Sequence, residues 1–273
     1  WGSLLEKAIS SKWLAYFIFP MGCVEKVLEP GVVRPTSDHS RTGLNDMCDL
    51  SGLRHSLDAY NEIASALLKG YFMHVTDVAD AFPMLPMAPW LWPFYLFRFY
   101  LDDTSPKLSL MIQLFADFGG AGWPGEFKIF FADAVVGMAR SELVLTLEMP
   151  IYVDDMGLIG EFAPGVRIEM RRFQLWAIAL GVLFKWIKDR LAARRQLMIG
   201  FWWDSVARTR TLEERRLGQY MHMLVDFAAR RSLSLLERQQ AIGRMTRAIM
   251  TLPDGAKCLM GEMLRLARGL QLP

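Results

Sequence analysis

The stretch "MPIYVDDMGLIG", Met149 to Gly160, sets two adjacent aspartates inside an otherwise apolar run. An unpaired carboxylate is expensive to bury, so apolar segments normally keep acids where water reaches them. The chain supplies its own control in "FRFYLDDTSPK", Phe97 to Lys107, where a second Asp-Asp also follows a Tyr by two residues. An Asp-Asp pair is expected about once by chance in a chain of this composition, so the dipeptide alone carries no information. Position decides. Residues 143–152 and 156–161 read as two strands with Asp154 and Asp155 between them, a hairpin whose turn exposes both carboxylates. After Asp103 the chain continues into the turn-forming "TSPK" with no second apolar strand, so Asp102 and Asp103 read as loop carboxylates.

The whole chain of 273 residues is long enough for a large core divided among two or three subdomains. Its 52% apolar and 22% charged residues are those of an ordinary globular protein, which excludes a disordered chain. Three scattered cysteines, Cys23, Cys48 and Cys258, point to reduced thiols and an intracellular setting, cytoplasm or nucleus. The four histidines have no zinc-ligand spacing with them and read as ordinary residues. No membrane span is expected, because the charge-free stretch Ala81 to Phe97 carries four prolines and "FQLWAIALGVLF" is short enough to be a buried helix. With Trp1 in place of Met, the chain reads as a segment of a longer polyprotein. The net charge of +2 conceals two halves of opposite sign: 17 Lys/Arg against 8 Asp/Glu from Lys185 onward, and 14 against 21 before it. Such asymmetry fits a polyanion partner for the basic part, although solvated helix faces would give the same count.

Along the chain, 56–69 has helical spacing from a Ser56 cap to Gly70, and "YFMHVTDVADAF" opens as a β-branched strand ending near Asp77. The proline-rich 83–93 is irregular. Residues 126–142 and 165–180 read as helices, and "QLMIGFWW", 196–203, as one apolar strand. The remainder is helical, with a capping box at Ser234 and Glu237 and a cap at Asp254. A mixed body of helices and strands thus precedes a basic helical tail.

If the strand ending at Asp77 pairs beside the hairpin, Asp77 and Asp154 meet at one strand end. Side chains alternate between faces of a strand, so one of Asp154 and Asp155 is the principal partner and the other supports it. Clustered carboxylates repel unless a hard cation lies between them, and all-oxygen ligation suits Mg2+. Two such ions can clamp the attacking and leaving oxygens of an in-line phosphoryl transfer.

In order, these motifs resemble the polymerase domain of a retroelement reverse transcriptase of the YVDD type, over nearly the whole chain from Lys26. "VRPTSDHSRTGLND" resembles the fingers segment, where Arg34, or Lys26, would hold the incoming triphosphate. "DVADAF" resembles the first palm motif, with Asp77 on the metal, Asp80 and Ala81 beneath the triphosphate, and Phe82 crowding the sugar 2′ position. On the residues alone Phe82 is equally a core aromatic, and Arg34 an ordinary surface arginine. "GWPGEFKIFFADAV", from Gly122, resembles the template- and nucleotide-contacting motif, but departs from it at Ala121, Glu126 and Phe127. "LGVLFKWIKD" resembles the following motif, with Lys185 and Lys188 competing for its lysine. "MIGFWWD" resembles the primer grip, carried by Met198, Ile199, Gly200 and Phe201.

The resemblance implies an α+β right-hand polymerase fold: fingers in 1–70, a palm with an antiparallel sheet in 71–204 with a fingers insertion at about 83–120, and a helical, basic thumb in 205–273. It further implies RNA-directed DNA polymerase activity on a primed RNA or DNA template with dNTP substrates. Asp77, Asp154 and Asp155 would serve two Mg2+ ions, with Mn2+ as the substitute. A catalytically decayed chain that only binds primer–template is the alternative, motivated by Glu126 and Phe127. An unrelated metal-dependent phosphohydrolase using the same carboxylates is the other rival; Asp77 and Asp154 lying far apart, or 143–161 not forming a hairpin, would exclude the polymerase reading.

Overall fold

The computed structural model describes residues 18–19, 21–25, 31–53, 59–100, 108–230 and 234–251. Lys26, His55, Ser56, Asp102, Asp103, Asp254 and Cys258 lie outside these residues. The fold mixes helices with mostly antiparallel strands, as expected for an α+β chain. Its first strands are β1 (Ile18–Phe19), β2 (Met21–Glu25) and β3 (Val33–Ser37), followed by helices α1 (Leu44–Met47) and α2 (Ala59–Ala66). Strand β4 (Phe72–Asp77) leads into two short 3-10 turns and the hairpin β5 (Leu96–Tyr100) and β6 (Leu108–Ile112). Helix α3 (Trp123–Phe127) runs through a π-helical stretch, Lys128–Val136, into α4 (Gly137–Glu142). Strands β7 (Ile151–Tyr152) and β8 (Asp155–Gly160), helix α5 (Ala163–Ala179) and strand β9 (Arg190–Ala193) complete the central part. Strands β10 (Arg195–Met198), β11 (Phe201–Asp204) and β12 (Thr209–Leu212) form a separate antiparallel sheet before α6 (Glu214–Ala229) and α7 (Leu235–Ile249).

The central sheet has the order β7-β8-β4-β9. Strand β4 is buried on both faces, which its pleat explains. Met73 and Val75 enter a core with Ile63, Ile159, Phe201 and Trp203, while Met156 and Leu158 of β8 enter another with Phe127, Phe131, Met170 and Phe173. Each fully buried phenylalanine contributes about 1.5–3 kcal/mol by leaving water. The polar residues of β4 are paired: Thr76 accepts from Gln174 of α5 at 3.1 Å, and His74 bonds Asp189 at 3.1 Å. Among the described residues no helix is long and apolar enough to cross a membrane.

Several local expectations are corrected. Of 143–152 only Ile151–Tyr152 is strand, because the chain first reverses out of α4 through Val144 at φ 52°. Asp155 belongs to β8 instead of the turn, and both hairpin aspartates are half-buried, not exposed, because Asp77 and β4 pack beside them. The apolar run 196–203 is a hairpin, since Ile199 and Gly200 take φ 54° and 75° and reverse it between Met198 and Phe201. A second strand does follow the lookalike Asp-Asp, because Leu108–Ile112 pairs with Leu96–Tyr100. The helix expected from 126 starts at Trp123, with Pro124 in its first turn where no amide donor is needed. "FQLWAIALGVLF" is not one buried helix: α5 ends at Ala179, Gly181 turns at φ 90°, and Leu175, Leu180 and Leu183 are exposed.

Candidate active site

The three aspartates meet at one end of the central sheet. Asp77 closes β4 and Asp155 opens β8, and the two lie directly opposite in the antiparallel register. Asp154 occupies the two-residue turn with Val153, and its carbonyl accepts the amide of Val78 at 2.9 Å. Tyr152 pairs with Asp155 to close that turn. Val153 holds φ 55°, a region a β-branched residue rarely enters. Sequence reasoning paired Asp77 with Asp154; the fold sets Asp155 across from Asp77, with Asp154 beside them.

Asp77 is 2% exposed. Burial, then the charge of Asp77, raises the Asp154 carboxyl above its ordinary range. Burial and the charges of Asp154 and Asp77 push Asp155 up to about 7. The segment after α5 delivers the compensating charge. Its Lys185 amide donates to the Asp77 carbonyl at 2.9 Å, which seats the segment against the end of β4. Lys188 Nζ then reaches Asp77 Oδ2 at 2.5 Å, and Lys185 Nζ stands 3.7 Å from Oδ1. The two lysines that compete in sequence therefore both face Asp77, and Lys188 makes the hydrogen bond. Burial opposes the charge of Lys188, but its bond to Asp77 and the three carboxylates outweigh this and raise its pKa.

Among the described residues no three acidic, imidazole or thiol side chains converge tightly enough to enclose an ion as they stand. The donor chemistry nonetheless fits a hard cation. All three groups are carboxylates, and buried Asp77 Oδ1 has no hydrogen-bond partner.

Behind the site lies a network that the sequence did not reveal. Asp189, next to Lys188, binds His74 of β4 at 3.1 Å and Gln174 of α5 at 2.7 Å. Burial alone would raise the Asp189 carboxyl, but these hydrogen bonds hold it below the usual range. The available signal was His74 and Thr76, two polar residues on one face of a strand whose other residues before Asp77 are apolar.

On β3, Arg34 lies over the Phe118 ring at 4.3 Å, and Phe118 contacts Phe82 at 5.1 Å. Phe82 also meets Phe127 edge-on at 6.3 Å, so it is tied into the core while remaining half-buried. Asp80, exposed at φ 47°, and buried Ala81 form the turn between β4 and Phe82. Gly122 caps α3, and its carbonyl accepts the amides of Gly125 and Glu126. The departures from the motif are accommodated: Glu126 is exposed, and Phe127 is buried and stacked on Phe131 at 5.4 Å. A second unforeseen network fixes this region. Buried His39 binds Asp117 at 2.9 Å, which also accepts from Trp123 at 3.2 Å, while Asn45 bonds Gly119 and Ala121.

Met198, Ile199 and Phe201 are buried at the β10–β11 turn. The carbonyl of Ile199 accepts from Arg247 of α7, and the carbonyl of Gly200 accepts from Glu213 at 3.2 Å. Beside the aspartate hairpin, an open cleft of about 260 Å3 is lined by Tyr152 and Val153 together with Pro124, Lys128 and Glu62.

No protein-family model and no curated protein matches the sequence. Solved structures are similar. A foamy viral protease–reverse transcriptase (dRH) in complex with double-stranded DNA aligns over 98% of this chain at TM-score 0.62 and 18% identity, with 41% of its own chain covered. The foamy viral enzyme with an RNA/DNA hybrid aligns over 97% at TM-score 0.60 and 15% identity, covering 36% of that chain. A further complex with double-stranded DNA aligns over 90% at TM-score 0.55 and 15% identity, covering 47%. Spanning less than half the length of those viral proteins, this chain has the reverse transcriptase fold.

Proposed function

We propose that the chain is the polymerase domain of a retroelement reverse transcriptase, with fingers, palm and thumb at 1–70, 71–204 and 205–273. The observation that carries this reading is the meeting of Asp77, Asp154 and Asp155 at one strand end within a fold shared with reverse transcriptases. Asp77 and Asp154, with Asp155 in support, would hold two Mg2+ ions. When bound, these would activate the primer 3′ oxygen and stabilise the departing pyrophosphate.

The remaining roles fall to the chain's own groups. Arg34, with the backbone around Asp80, Ala81 and Gly122, would orient the dNTP triphosphate, and Phe82 would exclude a ribose 2′-hydroxyl. The Met198–Phe201 turn would support the primer end. The arginine-rich helices after it would bind duplex phosphates without sequence preference. Primed RNA or DNA template is the partner this reading requires, in keeping with the complexes formed by the similar viral proteins.

Primer extension on matched RNA and DNA templates, compared with Asp154→Asn, tests the reading. Template-directed incorporation by the wild type that Asp154→Asn abolishes supports it. Equal background incorporation by both, with duplex binding retained, would assign the chain to binding without catalysis.

A further inference from the structure

Asp77 holds its carboxylate in the protein interior, where a charge without a partner is strongly destabilising. Its partner is the ammonium of Lys188, 2.5 Å from Oδ2. This placement is built into the backbone. The Lys185 amide is bonded to the Asp77 carbonyl, Lys188 N closes a turn onto the Lys185 carbonyl at 2.8 Å, and Asp189 is held by His74 and Gln174. The base of the Lys188 side chain is thus fixed at two points to β4 and α5. Its tip is different. The side chain is 33% exposed, on a flexible four-carbon stem that can swing into water.

We propose that Lys188 is a resident counter-ion of the carboxylate cluster, and that a divalent cation and the Lys188 ammonium exchange with one another at Asp77. The proposal rests on the reading of these aspartates as metal ligands. The free Oδ1 and the Lys188-bonded Oδ2 belong to one carboxylate, so a hard cation on Asp77 and the Lys188 ammonium would share a single negative charge at close range if Lys188 stayed. Their repulsion in this half-buried setting favours one occupant at a time. Lys185 is in a different position, because its ammonium at 3.7 Å makes no hydrogen bond to Asp77. Lys188 therefore sets the affinity for the ion and keeps Asp77 neutralised before the ion arrives. Asp189 is the positioning residue that aims it.

Titration of the purified chain with Mn2+, followed by electron paramagnetic resonance without nucleic acid, tests the exchange. Lys188→Met is expected to bind Mn2+ about tenfold tighter than wild type, the scale of one removed neighbouring charge. Its melting temperature in chelator should fall and be restored by Mn2+. Lys185→Met should change affinity less than threefold. In the wild type, the slowly exchanging 15N–1H signal of a hydrogen-bonded lysine ammonium should disappear on adding Mg2+, a measurement that needs no variant. A folded Lys188→Met with unchanged or weaker affinity overturns the proposal, as does an equal gain in Lys185→Met or an ammonium signal that survives saturating Mg2+. Asp77→Asn separates the two levels. If it leaves wild-type Mn2+ binding intact, the metal reading itself fails; if it abolishes binding while Lys188→Met has no effect, only the exchange fails.

Discussion

Asp77 and Asp155 face one another in register across β4 and β8, two carboxylates directly opposite on neighbouring antiparallel strands. Like charges in that position destabilise a sheet, and burial strengthens their repulsion. The fold offsets it with Lys188 and with a raised pKa at Asp155.

The first consequence is a pH dependence. Asp155 titrates near 4 in an unfolded chain and at about 7 when folded. Between those values the folded chain holds a proton that the unfolded chain has released. Stability from this group is therefore complete below about pH 4 and is lost as pH rises to about 7. In chelator, Asp155→Asn should be more stable than wild type at pH 8 by on the order of a few kcal/mol, and gain far less at pH 4. Thermal melts at both pH values measure the difference.

Gly125 is expected to tolerate no side chain. A Cβ there would lie 2.3 Å from the Leu53 carbonyl oxygen, a backbone atom that cannot rotate away. Gly125→Ala should lose about 1–3 kcal/mol from overpacking. Gly137, farther along the same helical run, has nothing within 4 Å of its Cβ position. Gly137→Ala should gain about 0.5–1 kcal/mol, so denaturant midpoints of the two variants should move in opposite directions.

Asp117 holds both His39 and the Trp123 indole in a buried setting. Asp117→Ala removes the acceptor shared by these two groups and should lower stability by about 1–3 kcal/mol. Because the network bears on Gly122 and the β3 segment, a rise in apparent dNTP KM larger than the change in kcat is expected at temperatures where the variant remains folded.

Phe82 is tied to Phe118 and Phe127 yet half-buried. Phe82→Val should raise the ratio of ribonucleotide to deoxyribonucleotide insertion by about tenfold or more, the scale of relieving one steric contact. A ratio that stays constant while stability drops would leave Phe82 as a core aromatic alone.

Much of this molecule was legible in its sequence. The apolar frame around Asp154 and Asp155, the strand ending at Asp77, the helix stop at Gly181 and the capping box of Ser234 and Glu237 all depend on local periodicity or on backbone preferences of one or two residues. What stayed hidden depends on residues far apart in the chain. The register that sets Asp155 against Asp77 is decided by how β4 and β8 pack on two cores, and a shift of one residue would turn every side chain to the other face. Lys185 and Lys188 are alike in sequence, and only the turn that seats them on β4 makes Lys188 the partner of Asp77. His39 with Asp117 and His74 with Asp189 are separated by 78 and 115 positions, so no local pattern links them. Composition and periodicity determined which segments would be buried; tertiary packing decided which charges they would bury together.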